Sequence, residues 1–160
     1  MKLLITPEEK NIPDCRVIKI KWHYNTLGDM VDQTWSKITS ENINKKENIH
    51  LMGYSIGGFV ALNLAPKLNL KKLSLYSPSP LFKETKKSLP KSFLNFLGKK
   101  RTKDIECYSV NILNNIKVPT EIYIGEKETK DMKEFSEYLN KNIKNSSLYT
   151  KEGCNHNNVL

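Results

Sequence analysis

Ser55 stands in Gly53-Tyr54-Ser55-Ile56-Gly57-Gly58, between the apolar run Ile49-His50-Leu51-Met52 and a stretch, Gly57 to Ala65, that is apolar almost all round. Small residues two places either side of a serine, at a strand-to-helix junction, let strand and helix approach closely and hold the hydroxyl on a sharp, strained turn. Such a serine faces outward from the end of a sheet. The first N–H groups of the following helix lack partners and sit at the positive end of its dipole, so the Ile56 N–H is a candidate donor to an oxyanion forming beside Ser55. A serine that merely caps the helix is the plainer reading, and both flanks argue against it.

A serine hydroxyl is a weak nucleophile until a base takes its proton, and histidine is best suited to that near neutral pH. The chain has three histidines. His50 alternates within the apolar run before the serine and reads as a satisfied core residue. His23 follows a strand, in Trp22-His23-Tyr24, and precedes the serine. His156 lies in the small polar loop Gly153-Cys154-Asn155-His156-Asn157, just after the last run with strand character.

The elements that must position these groups alternate between short apolar runs and helical stretches, the pattern of a parallel sheet covered by helices. Strands are expected at Lys2 to Thr6, Arg16 to Trp22, Ile49 to Tyr54, Lys72 to Tyr76, Thr120 to Ile124 and, more weakly, Ser147 to Thr150. Leu27, Val31, Trp35 and Ile38 recur at helical spacing, which predicts a helix from Asp29 to about Thr39; Met132, Phe135, Leu139 and Ile143 mark another. Lys19 and Lys21 share one face of the second strand, which places it at a sheet edge. The fold class is therefore α/β, a mostly parallel sheet of about six strands with helices on both faces. Residues 1–160 read as a single domain, with a basic, cap-like segment at about 83–103 that carries eight Lys or Arg against Glu84 alone.

The Ser55 turn, its flanking strand and helix, and Leu73-Ser74-Leu75-Tyr76-Ser77-Pro78-Ser79-Pro80 after them resemble the α/β-hydrolase family over nearly the whole chain. That resemblance implies a minimal form of the fold, because the family's opening pair of strands and its closing helix find no counterpart. It also implies the chain order nucleophile, acid, histidine, which makes His156 the base. Val118-Pro119-Thr120-Glu121-Ile122-Tyr123-Ile124-Gly125-Glu126-Lys127-Glu128 is similar to the family's penultimate strand and acid loop, where the acid sits three residues after the glycine. That position is Glu128, a departure from the usual Asp; Glu126 and Asp131 are its competitors. The family's second oxyanion donor follows the strand beside the elbow, and since Pro7 has no N–H, the candidate here is the backbone of Glu8.

The resemblance implies a serine hydrolase that cleaves a carboxylic ester or thioester through an acyl-enzyme on Ser55, with a small-molecule substrate and no metal or organic cofactor. The alternative is a catalytically silent protein of the same fold that binds a small molecule or a protein partner. The cap lysines Lys86, Lys87, Lys99 and Lys100 raise the expectation of anionic acyl substrates.

Composition narrows the rest. Lys+Arg 26 against Asp+Glu 17 gives a formal charge of +9, yet Arg16 and Arg101 are the only arginines, which argues against a nucleic-acid reader. Cys15, Cys107 and Cys154 form no close pair, so neither a disulfide framework nor a zinc knuckle is expected. No apolar run approaches the roughly 20 residues of a membrane span, and Met1 to Thr6 is too short for a signal-peptide core, so a cytoplasmic protein is expected.

Overall fold

The computed structural model describes residues 1–23 and 26–160. Six strands form one sheet: β1 (Lys2–Thr6), β2 (Cys15–Lys19), β3 (Ile49–Tyr54), β4 (Leu70–Tyr76), β5 (Thr120–Gly125) and β6 (Ser146–Lys151). All pairs are parallel and the order is β2-β1-β3-β4-β5-β6. The lysine-bearing second strand lies at an edge, as its pattern requires, and Lys19 pairs there with Glu9 at 2.6 Å. It stops at Lys19, earlier than expected, and Trp22 leaves the sheet to meet Phe96 edge-on at 5.4 Å.

Helix α1 (Leu27–Ser40) starts ahead of the expected Asp29 because Thr26 and Asp29 build a capping box, in which each side chain accepts from the other residue's N–H at 3.0 Å. Helix α2 (Ile56–Leu64) is buried along nearly its whole length, and Pro66 lies in the single 3-10 turn that follows. The segment 83–103 folds into α3 (Lys91–Leu97) and α4 (Lys99–Asp104), which meet at Gly98, where φ is +88°. Helix α5 (Lys130–Asn142) packs on β5 and β6.

Strand alternation sends Leu3, Ile5, Leu51, Leu73, Leu75 and Ile122 to one face of the sheet, where they share a core with α1, α2 and α5. The opposite face carries a smaller cluster, Leu4, Met52, Tyr54 and Val159, with Ile12 and Leu160 packed on it. Among the described residues no helix contributes to that cluster, so the helices lie on one face rather than on both. The physical reason is local. The chain crosses from β1 to β2 through residues 7–14 without a helix, although parallel crossovers usually take a dozen or more residues. On this face Tyr123 stacks between Tyr76 (4.8 Å) and Tyr149 (5.2 Å).

No helix in the described residues is long and apolar enough to cross a membrane.

Candidate active site

Ser55 occupies the turn between β3 and α2 at φ 55°, ψ −124°, outside the regions an L-residue adopts without strain. Strain of this kind costs on the order of 1–3 kcal/mol and must be held by its surroundings. Three hydrogen bonds hold it: the Ser55 N–H donates to the Tyr76 carbonyl at 3.0 Å, and the Ser55 carbonyl accepts from the N–H of Gly58 (2.9 Å) and of Ser79 (3.0 Å). Glycine is required on either side. A Cβ on Gly57 would lie 2.0 Å from the Ile5 carbonyl oxygen, and one on Gly53 would lie 2.7 Å from the Gly57 carbonyl oxygen and from the Gly58 Cα. Among the described residues the Ile56 N–H has no partner, as expected at the first turn of a helix.

His156 lies beyond β6 in a loop bound to the loop beyond β5. The Glu126 N–H donates to the Lys151 carbonyl (3.0 Å), the Lys127 N–H to the Cys154 carbonyl (2.8 Å), and the Gly153 N–H to the Glu126 carboxylate (2.8 Å). Gly125 permits this approach, since a Cβ there would sit 2.5 Å from the Cys154 carbonyl oxygen. From below, the buried Tyr54 hydroxyl donates to the His156 carbonyl at 2.7 Å. Burial and the carboxylates of Glu8 and Glu128 push the Tyr54 hydroxyl up to about 12, so it remains a donor.

The two loops bring three side chains into line. His156 Nε2 lies 3.0 Å from Ser55 Oγ, and His156 Nδ1 lies 2.8 Å from Glu128 Oε2. The Glu128 carboxylate is nearly enclosed, its side chain 4% exposed. Burial pushes its carboxyl up, but the hydrogen bond and charge of His156, the Thr129 N–H at 3.2 Å and the Ser77 hydroxyl together hold it below the usual carboxylate range. An ionised carboxylate only accepts, so Nδ1 carries the proton and Nε2 is left to accept from the serine hydroxyl. Ser77 is fully buried at φ 40° and its oxygen has no partner of standard hydrogen-bond geometry, so its help to Glu128 is through proximity.

Of the expected residues, Ser55, Ile56, Glu128 and His156 come together. The competing acids do not reach the imidazole: Glu126 ties down Gly153, and Asp131 lies in the first turn of α5. Glu8 lines the same cavity, but its N–H donates to Thr6 Oγ1 at 3.2 Å and its carboxylate pairs with Lys10 at 3.1 Å. His50 is half-buried rather than in the core: it shares a 2.8 Å hydrogen bond with Ser74 and lines a groove with Lys2 and Lys72, away from Ser55. Trp22, not His23, lines the cavity. Tyr54 and Ser77 also support the site, and nothing in the sequence singles them out; Gly125, the glycine from which the acid is counted, is the one supporting residue with a sequence signal.

The cavity above Ser55 measures about 610 Å³. Its walls include Ile56, Trp22, Phe93, Phe96, Pro80 and Met132, so α3 acts as the roof. None of the cap lysines lines it, whereas the carboxylates of Glu8 and Asp131 do, which removes the basis for expecting anionic acyl groups. Among the described residues no three His, Cys, Asp or Glu side chains gather as metal ligands.

No family model matches the sequence, and no curated protein matches it. Solved structures do. Est1E from Butyrivibrio proteoclasticus superposes with a TM-score of 0.74 at 16% identity over 97% of this chain and 78% of that one. Est816, described as an N-acyl homoserine lactone degrading enzyme, gives 0.70 at 13% identity, covering 97% and 85%. MGS-MChE2, an alpha/beta hydrolase from a lagoon-sediment metagenome, gives 0.68 at 14% identity, covering 97% and 81%. Likeness at such identities is a likeness of scaffold, and by it the chain is an α/β-hydrolase-fold protein.

Proposed function

We propose that the protein is a serine hydrolase that cleaves a carboxylic ester or thioester through an acyl-enzyme on Ser55. The observation that carries this reading is the unbroken line from Ser55 Oγ through His156 to the buried Glu128 carboxylate, at 3.0 and 2.8 Å. Ser55 Oγ attacks the carbonyl carbon while Nε2 takes its proton, and Glu128 stabilises the imidazolium that forms. The Ile56 N–H donates to the oxyanion. As the tetrahedral intermediate collapses, Nε2 returns the proton to the departing alcohol or thiol. Water then repeats the sequence on the acyl-enzyme and regenerates the serine.

A second reading, a silent protein of this fold that binds a small molecule or a partner, draws on one observation. The Glu8 N–H, the expected second oxyanion donor, is taken by the Thr6 hydroxyl. A fluorophosphonate probe separates the two. Labelling of the wild type and not of Ser55→Ala, together with turnover of p-nitrophenyl esters lost in Ser55→Ala and His156→Ala, is the expected outcome. No labelling of either protein sinks the hydrolase and leaves the binding protein.

A further inference from the structure

The corner where α3 meets α4 combines two properties that no catalytic role accounts for. Phe96 is 67% exposed and Trp22 37% exposed, both at the mouth of the cavity above Ser55. On the same pair of helices Lys91, Lys99, Lys100 and Lys103 are exposed and, among the described residues, lack a carboxylate partner; Lys99 and Lys103 line a separate groove, where Lys86 pairs with Glu106. Two large exposed aromatic rings at one side of a helix pair that carries four such ammonium groups fit a partner that is both anionic and apolar beneath its charge. We propose that this corner docks on an anionic phospholipid bilayer, with Phe96 and Trp22 entering the headgroup–acyl boundary and the lysines facing lipid phosphates.

The cation chemistry favours a bilayer over a nucleic acid. The one arginine of the segment is already engaged: its guanidinium stacks over Trp22 at 5.5 Å and donates to the Trp22 carbonyl. What remains are lysines, point charges suited to a diffuse negative surface rather than to bidentate reading of bases. Arg101 also fixes the indole at the corner, so Trp22 does not need to reorganise to meet the interface. Docking in this pose turns the cavity mouth, which Trp22, Phe93 and Phe96 frame, toward the lipid.

The test uses the full chain carrying Ser55→Ala, so that lipid hydrolysis plays no part, with vesicles of phosphatidylglycerol and phosphatidylcholine or of phosphatidylcholine alone. Co-sedimentation is expected with the anionic vesicles only and weakens as salt rises. Lys99→Glu with Lys100→Glu lowers the partition about 30-fold or more, at roughly fivefold per cation removed. Phe96→Ser, at an exposed position that does not threaten folding, lowers it several-fold. In a Trp35→Phe background the Trp22 emission shifts to the blue on binding. No sedimentation with anionic vesicles overturns the proposal, as does sedimentation that neither variant diminishes. Binding that RNA competes away with no shift in Trp22 emission reassigns the patch to a polyanion. Self-association lost in Phe96→Ser, without vesicle binding, reassigns it to a second copy. A wild type that fluorophosphonate fails to label refutes the hydrolase and leaves the vesicle result standing.

Discussion

Replacing Glu128 by Gln removes one charge and almost no volume, so it isolates what the carboxylate does. In the native site Oε2 accepts from His156 Nδ1 at 2.8 Å and Oε1 accepts from the Thr129 N–H at 3.2 Å. A glutamine amide keeps the Thr129 bond with its carbonyl oxygen and turns its NH₂ toward Nδ1. Since NH₂ only donates, the imidazole must accept at Nδ1 and carry its proton on Nε2, where it can no longer take the Ser55 proton. The imidazolium that does form also loses the charge across from it, in a pocket where the Glu128 side chain is 4% exposed and solvent screens little. Both losses act on the transition state, and together they are expected to lower kcat/KM about a thousandfold to ten-thousandfold, roughly 4–5.5 kcal/mol. The assay is initial-rate hydrolysis of a p-nitrophenyl ester, with circular dichroism and thermal melting to establish that the variant folds. A folded Glu128→Gln protein within tenfold of wild type refutes the assignment of the acid and with it the tautomer argument.

Glu126→Gln and Asp131→Asn retain activity within about threefold in the same assay, because neither carboxylate touches the imidazole; a thousandfold loss in either moves the acid to that position. Gly57→Ala places a methyl group against the Ile5 backbone and is expected to lower stability by about 1–3 kcal/mol or more, read as a fall in the denaturation midpoint; an unchanged midpoint contradicts the close packing of α2 on β1. Tyr54→Phe leaves the His156 carbonyl without its donor and costs about 1 kcal/mol of stability, and its kcat falls while its far-ultraviolet spectrum stays the same. Glu128 has a folded pKa below its unfolded value of about 4.3, so its contribution is present above that value and is lost as pH falls through the folded pKa. Acid titration of stability is therefore steeper for the wild type than for Glu128→Gln below the usual carboxylate range; parallel curves refute the shift.

The parts of the molecule that were legible in the sequence are those where one local rule decides. Ile49 to Tyr54 reads as a strand, and the glycines around Ser55 announce a turn, because strand period and glycine's freedom act over a few residues. The structure adds why: Gly57 exists for the Ile5 carbonyl, a contact between segments that are about fifty positions apart in the chain and close only in the fold. Glu128 was placed by its distance from Gly125, and the role of that glycine, to admit the Cys154 carbonyl, depends on a loop that follows an entire helix. Other features were hidden because they are properties of an assembled sheet. Nothing in Lys2 to Thr6 or in Ser146 to Lys151 says that one side of the sheet will carry the helices seen among the described residues, since the alternation is satisfied equally by a helix or by the loop 7–14 with Val159 and Leu160. The cap charge misled for a related reason. Sequence counts the lysines of 83–103, but only the fold shows that the side of α3 facing Ser55 presents Phe93 and Phe96.

The strand order explains how a six-stranded sheet can hold the line of Ser55, His156 and Glu128 and still leave the side of residues 7–14 thin. Ser55, Glu128 and His156 follow β3, β5 and β6, and in the order β2-β1-β3-β4-β5-β6 these strands, with β4 among them, form one contiguous run of four. Each loop there is braced by the next: Ser55 by Tyr76 and Ser79 after β4, Ser77 by Tyr123 of β5, and Glu126 and Lys127 by the loop beyond β6. The remaining two strands, β1 and β2, carry none of these three side chains. Their connection, residues 7–14, is also the segment that would supply a second donor, and it is short, begins with a proline and turns its first N–H back onto Thr6. On the proposed mechanism, the short connection on that side leaves the serine, acid and base in place and weakens oxyanion stabilisation instead. On that mechanism, the ratio of acylation rates for activated over alkyl esters of the same acyl group is expected to exceed the ratio in a serine hydrolase with two oxyanion donors. A ratio no larger than that of the two-donor enzyme would show that a second donor is present after all.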